Sequence, residues 1–343
     1  MFENMFENIH NWPLEHWHIE LCSKCSLRCP RCSRQEVPGA TNKDLSLEWL
    51  QKNFTGKLLS EVKKLTFCGD DGDPIYAKDL LKILAWFREN NKDVQFVIVT
   101  NGSYKTKSWW EKLDSILDEK DHIHFSLDGW DQESNNIYRV NCDWDSILLG
   151  IYALRESKAY KTWAAIAFKF NEDRLDVMRE IAKKHNFDNF QLTLSSKFGK
   201  NYGTYPKNDP LQPSDKFIAS GRFTRTTTEL SGKKWQDNCI DIFTERFYNT
   251  SNASSIIPLC MIGNKGLYMN AEGKFYPCCW TALRYGHNKN VFDYIQPKQT
   301  LGEVLDDPLW KKLFGDMKNG TAPRECGEKC SAKKWNLEHA TSW

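Results

Sequence analysis

Four cysteines fall within eleven positions of this chain, in "IELCSKCSLRCPRC" (residues 19–32). Cys22, Cys25, Cys29 and Cys32 can be parsed in two ways. As C-x2-C-x3-C-x2-C they offer four thiolates to one tetrahedral zinc ion. Zinc modules, though, usually set their two knuckles about 12 to 20 residues apart. As C-x3-C-x2-C, Cys25, Cys29 and Cys32 can each hold a separate iron of a cubane [4Fe–4S] cluster and leave the fourth iron open to a ligand. A disulfide cluster is the third chemistry, and the rest of the sequence argues against it.

The chain has 343 residues, 40% of them hydrophobic, enough for one large domain or two ordinary ones. A formal net charge of +2 provides no global field for nucleic acid or for a cationic partner. No apolar run approaches the ~18 residues of a membrane span. The polar, acidic start "MFENMFENIHNWPLEHW" lacks the pattern of a secretory or transit peptide, so a cytoplasmic protein is expected. In that compartment the twelve cysteines are thiols or metal ligands.

The elements that must position the thiols follow from periodicity. Six short runs, "WHIEL", "KKLTFCG", "VQFVIVTNG", "HIHFSLDG", "WAAIAFKF" and "FQLTLSS", read as strands. Between them lie stretches with apolar residues recurring at three and four, such as "LSLEWLQKNFTGKLLSEV" and "DRLDVMREIAKKH", which read as helices. Strands alternating with helices imply a parallel α/β sheet, doubly wound or curled toward a barrel. The cysteine loop directly follows the first strand, at the end where such folds place their chemistry.

In that position the motif resembles the signature of the radical S-adenosylmethionine (SAM) enzymes, C-x3-C-x2-C. Three further stretches match the family in order: "FCGDDGDP" its glycine-rich turn, with Asp73 for the usual Glu and one extra residue upstream; "VTNG"; and "SLDG". The resemblance implies a partial (β/α)6 TIM-like barrel and a SAM-binding [4Fe–4S] cluster on Cys25, Cys29 and Cys32. It implies that the turn Gly72, Asp73, Pro74 meets the SAM ammonium, that Thr100 and Ser126 lie by its adenosyl or methionyl part, and that Arg139 grips its carboxylate. Arg31 stands where many members carry an aromatic residue beside the adenine. Cys22 shares a strand face with His18 and Glu20 and reads as a buried thiol. Asp70, Asp71 and Glu20 are candidate acids or bases without an assigned role.

A second group of cysteines lies in the tail. Cys260 and Cys278 flank a hairpin-like "GLYMNAEGKFYP", and Cys326 and Cys330 follow as C-x3-C. The layout resembles the auxiliary-cluster extension of radical SAM proteins in its shortened form, twitch, which implies a second [4Fe–4S] cluster. Cys279 is the less favoured half of its tandem pair, and Cys68, Cys142 and Cys239 read as ordinary thiols. The expected division is an N-terminal extension (1–16), a radical SAM partial barrel (17–205), an irregular linker (206–257) and a small auxiliary domain (258–343).

The implied activity is reductive cleavage of SAM to a 5′-deoxyadenosyl radical that takes hydrogen from a peptide or a small molecule. The electron would come from an external donor such as flavodoxin or ferredoxin. The lack of an obvious peptide-binding extension before residue 17 favours a free small molecule or a peptide delivered by a partner. The alternative from a different class is a zinc-stabilised binding protein without catalysis. Trp49, Trp86 and Trp144 read as packing residues, and the lysine pairs at 311–312 and 333–334 as solvated faces.

Overall fold

The protein is described by a computed structural model. It covers residues 14–36, 42–195, 198, 208–220, 225–237, 267–276, 278–282, 300–305 and 307–308. These fall into two compact units. One holds residues 14–24, 42–96 and the described residues from 236 onward; the other holds 25–36 and 97–235.

In the first unit β1 (His16–Ile19) runs parallel to β2 (Lys64–Phe67) on one side and to β8 (Leu267–Met269) on the other. β8 and β9 (Phe275–Tyr276) form the hairpin expected from the sequence, turning at Asn270–Gly273, where the Gly273 N–H donates to the Asn270 carbonyl at 2.9 Å. After β1 come α1 (Leu47–Asn53) and α2 (Gly56–Glu61), and after β2 comes α3 (Leu80–Asn90). The Trp17 ring meets Phe54, at the end of α1, at 5.2 Å and Phe275 at 6.1 Å, and Phe54 meets Phe87 of α3 at 5.4 Å. Burying each such ring stabilises the unit by about 2 kcal/mol. The single helix expected over residues 45–62 is two helices. Phe54 leaves the helical region, and Gly56 opens the second helix at φ +50.

β3 (Gln95–Thr100) carries the chain into the second unit. There β3, β4 (His122–Ser126), β5 (Tyr160–Ile166) and β6 (Asn189–Thr193) pair in parallel, with α4 (Lys107–Asp114), α5 (Gln132–Tyr138), α6 (Trp144–Ala153) and α7 (Leu175–Lys184) between or after them. Alternation divides each strand between two faces. Phe125 and Trp163 point to the helices and meet Trp110 and Phe187. His122, His124 and Ser126 take the opposite, polar face. On it the His122 ring nitrogen Nε2 shares a 2.7 Å hydrogen bond with the Thr162 hydroxyl, and His124 stacks on His122.

Two features lay outside the expected elements. α5 has no apolar periodicity and was not anticipated. Within the stretch expected as linker, β7 (Arg225–Glu229) adds antiparallel to β6. The chain then runs along the starts of the strands: Ser231 Oγ donates to Asp188 Oδ1 at 2.7 Å and Trp235 Nε1 to the Lys120 carbonyl at 2.8 Å. Each run of strands ends on an antiparallel one, β7 or β9, and neither closes into a ring, in keeping with a partial barrel. No helix among the described residues is long and apolar enough to cross a membrane.

Candidate active site

The cysteine loop leaves the end of β1 and closes on itself. The Cys32 N–H donates to the Cys29 carbonyl at 3.1 Å, and a helical turn, Ser33–Glu36, begins beyond it. Arg34 on that turn reaches back, donating from Nη1 to the Cys25 carbonyl at 3.1 Å and from Nη2 to the Leu27 carbonyl. Cys25 and Cys32 are half-exposed, and Cys29 is buried.

One of the three sulfurs has a nitrogen donor aimed at it, and a second feels a buried guanidinium charge. Asn101, which follows Thr100 in "VTNG", donates from Nδ2 to Cys25 Sγ at 3.6 Å. The Arg139 guanidinium acts on Cys29 through its charge. Burial pushes the Cys29 thiol up, and the Arg139 charge opposes it. Donors placed on sulfur favour thiolate, the form that binds iron. Among the described residues no three His, Cys, Asp or Glu side chains converge on a single ion centre. A cubane does not need that, because its cysteines hold separate irons. Cys22 is turned elsewhere. Its Sγ donates to the Asp73 carbonyl at 3.3 Å, and burial pushes its pKa up to about 12, as suits the buried thiol expected of it. The loop therefore fits a three-cysteine cluster better than a four-thiol zinc site.

Arg139 caps the C-terminus of α5, and its Nε donates to Asp128 Oδ2 at 2.6 Å. Asp128, in "SLDG", is wholly buried and also accepts from the Ile166 N–H at 2.7 Å. Burial alone would lower the Arg139 pKa, but Asp128, Cys29 and Tyr138 more than reverse this and hold the guanidinium charged. Thr100 is buried at the end of β3, where its Oγ1 accepts from the Gly102 N–H at 3.1 Å. Ser126 is half-buried at the end of β4. Arg31 donates to Asp209 Oδ2 at 2.6 Å, a partner from the polar stretch after β6 that the sequence did not suggest.

In the first unit the "GDDGDP" turn is tied down tightly. Both Glu20 carboxylate oxygens accept backbone N–H groups, from Asp70 and, at 3.0 Å, from Asp71; Tyr268 Oη donates to the same carboxylate at 2.5 Å. Glu20 thus holds the turn's shape. Gly72 is required by close approach, since a Cβ there would lie 2.2 Å from the Cys22 carbonyl oxygen. The Asp73 N–H donates to the Lys24 carbonyl at 2.8 Å, and its carboxylate caps the 3-10 turn Pro74–Tyr76 through the Ile75 N–H at 3.2 Å.

Of the tail cysteines, Cys278 is half-buried, and Cys279, buried, opens the helical turn Cys279–Ala282. Cys260, Cys326, Cys330 and Cys239 lie outside the described residues, as do the lysine pairs at 311–312 and 333–334. Trp49 stacks on Phe275, and Trp144 meets Trp163 at 6.2 Å, which are packing roles as expected.

The sequence reading missed Asn101, Asn135 and Asp128. Asn101 was legible as the middle residue of "TNG". Asn135 Oδ1 accepts the N–H groups of Asp128 and Gly129 at 2.9 and 3.2 Å and so ties α5 to the "SLDG" turn. Its signal was the Asp131-x-x-Ser134 capping box that starts the helix.

The chain is similar to known proteins in sequence and in fold. Molybdenum cofactor biosynthesis protein 1 of Drosophila melanogaster is 26% identical over 265 residues, which is 72% of this chain and 46% of that protein. The chain thus spans about half the length of that relative. Streptococcus suis SuiB bound to precursor peptide SuiA superposes with a TM-score of 0.53 at 16% identity, covering 87% of this chain and 66% of SuiB. Polyhistidine-tagged anSMEcpe with bound AdoMet gives a TM-score of 0.55 at 17% identity, covering 95% of this chain and 84% of that one. At these identities the two structures establish the fold. Residues 19–188 match the family described as the Radical SAM superfamily, and this chain belongs to that superfamily, whose members use a [4Fe–4S] cluster and SAM.

Proposed function

We propose that the protein cleaves SAM reductively and uses the resulting radical to take a hydrogen atom from its substrate, a peptide or a small molecule. The observation that carries this is the residue 25–32 loop at the end of β1, with Asn101 Nδ2 donating to Cys25 Sγ at 3.6 Å. Cys25, Cys29 and Cys32 would hold the SAM-binding [4Fe–4S] cluster. Held there, the cluster would supply the single electron that reductive cleavage of the SAM C5′–S bond to methionine and a 5′-deoxyadenosyl radical requires.

The chain's own residues bind and orient. Arg139, held charged by Asp128, offers its planar fork to the SAM carboxylate. Thr100 and Ser126 offer hydroxyls at the ends of neighbouring strands, and the turn Gly72, Asp73, Pro74 offers acceptors to the ammonium. Arg31, ion-paired with Asp209, is the residue that the resemblance sets beside the adenine. SuiB, similar in fold, is known bound to a precursor peptide, which supports a peptide among the candidates. The electron would come from a carrier such as flavodoxin or ferredoxin. We assign the tail, residues 258–343, a second [4Fe–4S] cluster on Cys260, Cys278, Cys326 and Cys330, and retain residues 17–205 as the barrel.

The test uses anaerobically reconstituted protein, with iron and sulfide counted per chain and 5′-deoxyadenosine assayed after addition of SAM and dithionite. The reading expects about eight irons, with deoxyadenosine abolished by Cys25→Ala, Cys29→Ala or Cys32→Ala. The Cys278→Ala variant should retain about four. Zinc in place of iron, with no deoxyadenosine, would overturn it; four irons in the wild type would remove the second cluster alone.

A further inference from the structure

Asn101 is held in one orientation, and that orientation has an electronic consequence. Its Oδ1 accepts the Ser103 N–H at 2.9 Å while its Nδ2 donates to Cys25 Sγ at 3.6 Å. Rotating the amide by half a turn would set its oxygen against the sulfur and its NH2 group against an N–H, losing both bonds. Asn101 is 5% exposed, so water does not screen the donor. The recipient's backbone is held as well, because Arg34 donates to the Cys25 and Leu27 carbonyls. The donor and the loop that carries the sulfur are therefore both held by the protein's own hydrogen bonds.

We propose that Asn101 is a positioning residue that sets the reduction potential of the cluster through its N–H···S bond to Cys25, a role distinct from the SAM contact expected of its neighbour Thr100. The inference rests on the reading of Cys25, Cys29 and Cys32 as cluster ligands. An N–H aimed at a cluster sulfur stabilises the reduced, more negative state more than the oxidised one, and so raises the potential. The electron that SAM needs then becomes easier to load. Arg139 acts in the same direction on Cys29, but it is also the proposed carboxylate grip, so its removal would change two things at once. Asn101 separates them.

The experiment is a potentiometric titration followed by electron paramagnetic resonance, read on the signal that changes when SAM is added. Wild type is compared with Asn101→Ala and Asn101→Ser. Serine is the cleaner probe: it is neutral, its hydroxyl can keep the turn bond to the Ser103 N–H, and it is too short to reach the sulfur. Both variants should keep full iron, and at a fixed applied potential the ratio of reduced to oxidised cluster should fall about tenfold, a shift of about 59 mV for one electron. A wild-type potential in Asn101→Ser with full iron overturns the proposal and leaves the cluster intact. If alanine fails to load iron, the serine variant decides. A wild type that takes up no iron overturns the cluster reading itself, and this inference with it.

Discussion

Arg139 pairs with the Asp128 carboxylate, and its place in the sequence hints only at a different ligand. "NNIYRV" resembles the family's carboxylate-binding arginine, whereas Asp128 sits eleven residues upstream and becomes a partner only because α5 brings the chain back over the "SLDG" turn. Asp128 has no side-chain exposure and Arg139 only 17%. Removing one member of such a pair leaves the other charged, buried and unmatched, which costs about 3–5 kcal/mol. Arg139→Ala should therefore lose stability by that amount in urea titration of the cluster-free protein, in addition to losing SAM affinity. Arg139→Gln with Asp128→Asn should recover most of the stability and none of the affinity. If Arg139→Ala unfolds within about 1 kcal/mol of wild type, the pair carries no such load.

The six parallel strands were legible because each has one apolar face, and the helices flanking them because each has an apolar stripe. α5 was illegible for the converse reason. Its sequence, QESNNIY, leaves Ile137 48% exposed and buries Ser134 and Asn135, the reverse of an amphipathic pattern. It forms because Asp131 and Ser134 cap its first turn and Asn135 pins it to the strand end. Asp131→Ala should then cost about 1 kcal/mol. Because the helix carries Arg139, it should also weaken SAM binding measured by calorimetry, with the Thr100 and Ser126 strands unchanged. Gly129→Ala is the severe version. The new Cβ would lie 2.1 Å from the Asn135 nitrogen, in backbone that cannot yield cheaply. It should give little soluble protein, or protein destabilised by more than about 3 kcal/mol. A Gly129→Ala protein with wild-type thermal midpoint and SAM affinity would show that α5 is not held by that turn.

At the scale of the whole chain, the order of the β/α elements was readable but the partners of the outermost strands were not. Pairing between β1 and β8 joins residues about 250 apart, and no local pattern encodes it. Likewise β7, "RTTTE", has no apolar face to mark it as a strand; its register against β6 supplies the bonds instead. Both strands have a physical task. β8 covers the outer edge of β1 in the first unit, and β7 covers that of β6 in the second, and an uncovered edge is a template for aggregation. The sequence-based barrel boundary at residue 205 would strip both edges. A chain ended there should be insoluble or oligomeric by size-exclusion chromatography, even though every strand of the expected barrel is present. The full chain with Cys278→Ala should elute as the wild-type chain does, because it keeps both covering strands. A monomeric 1–205 fragment with the full chain's thermal midpoint would show that β1 and β6 tolerate open edges and that the later strands serve only the tail.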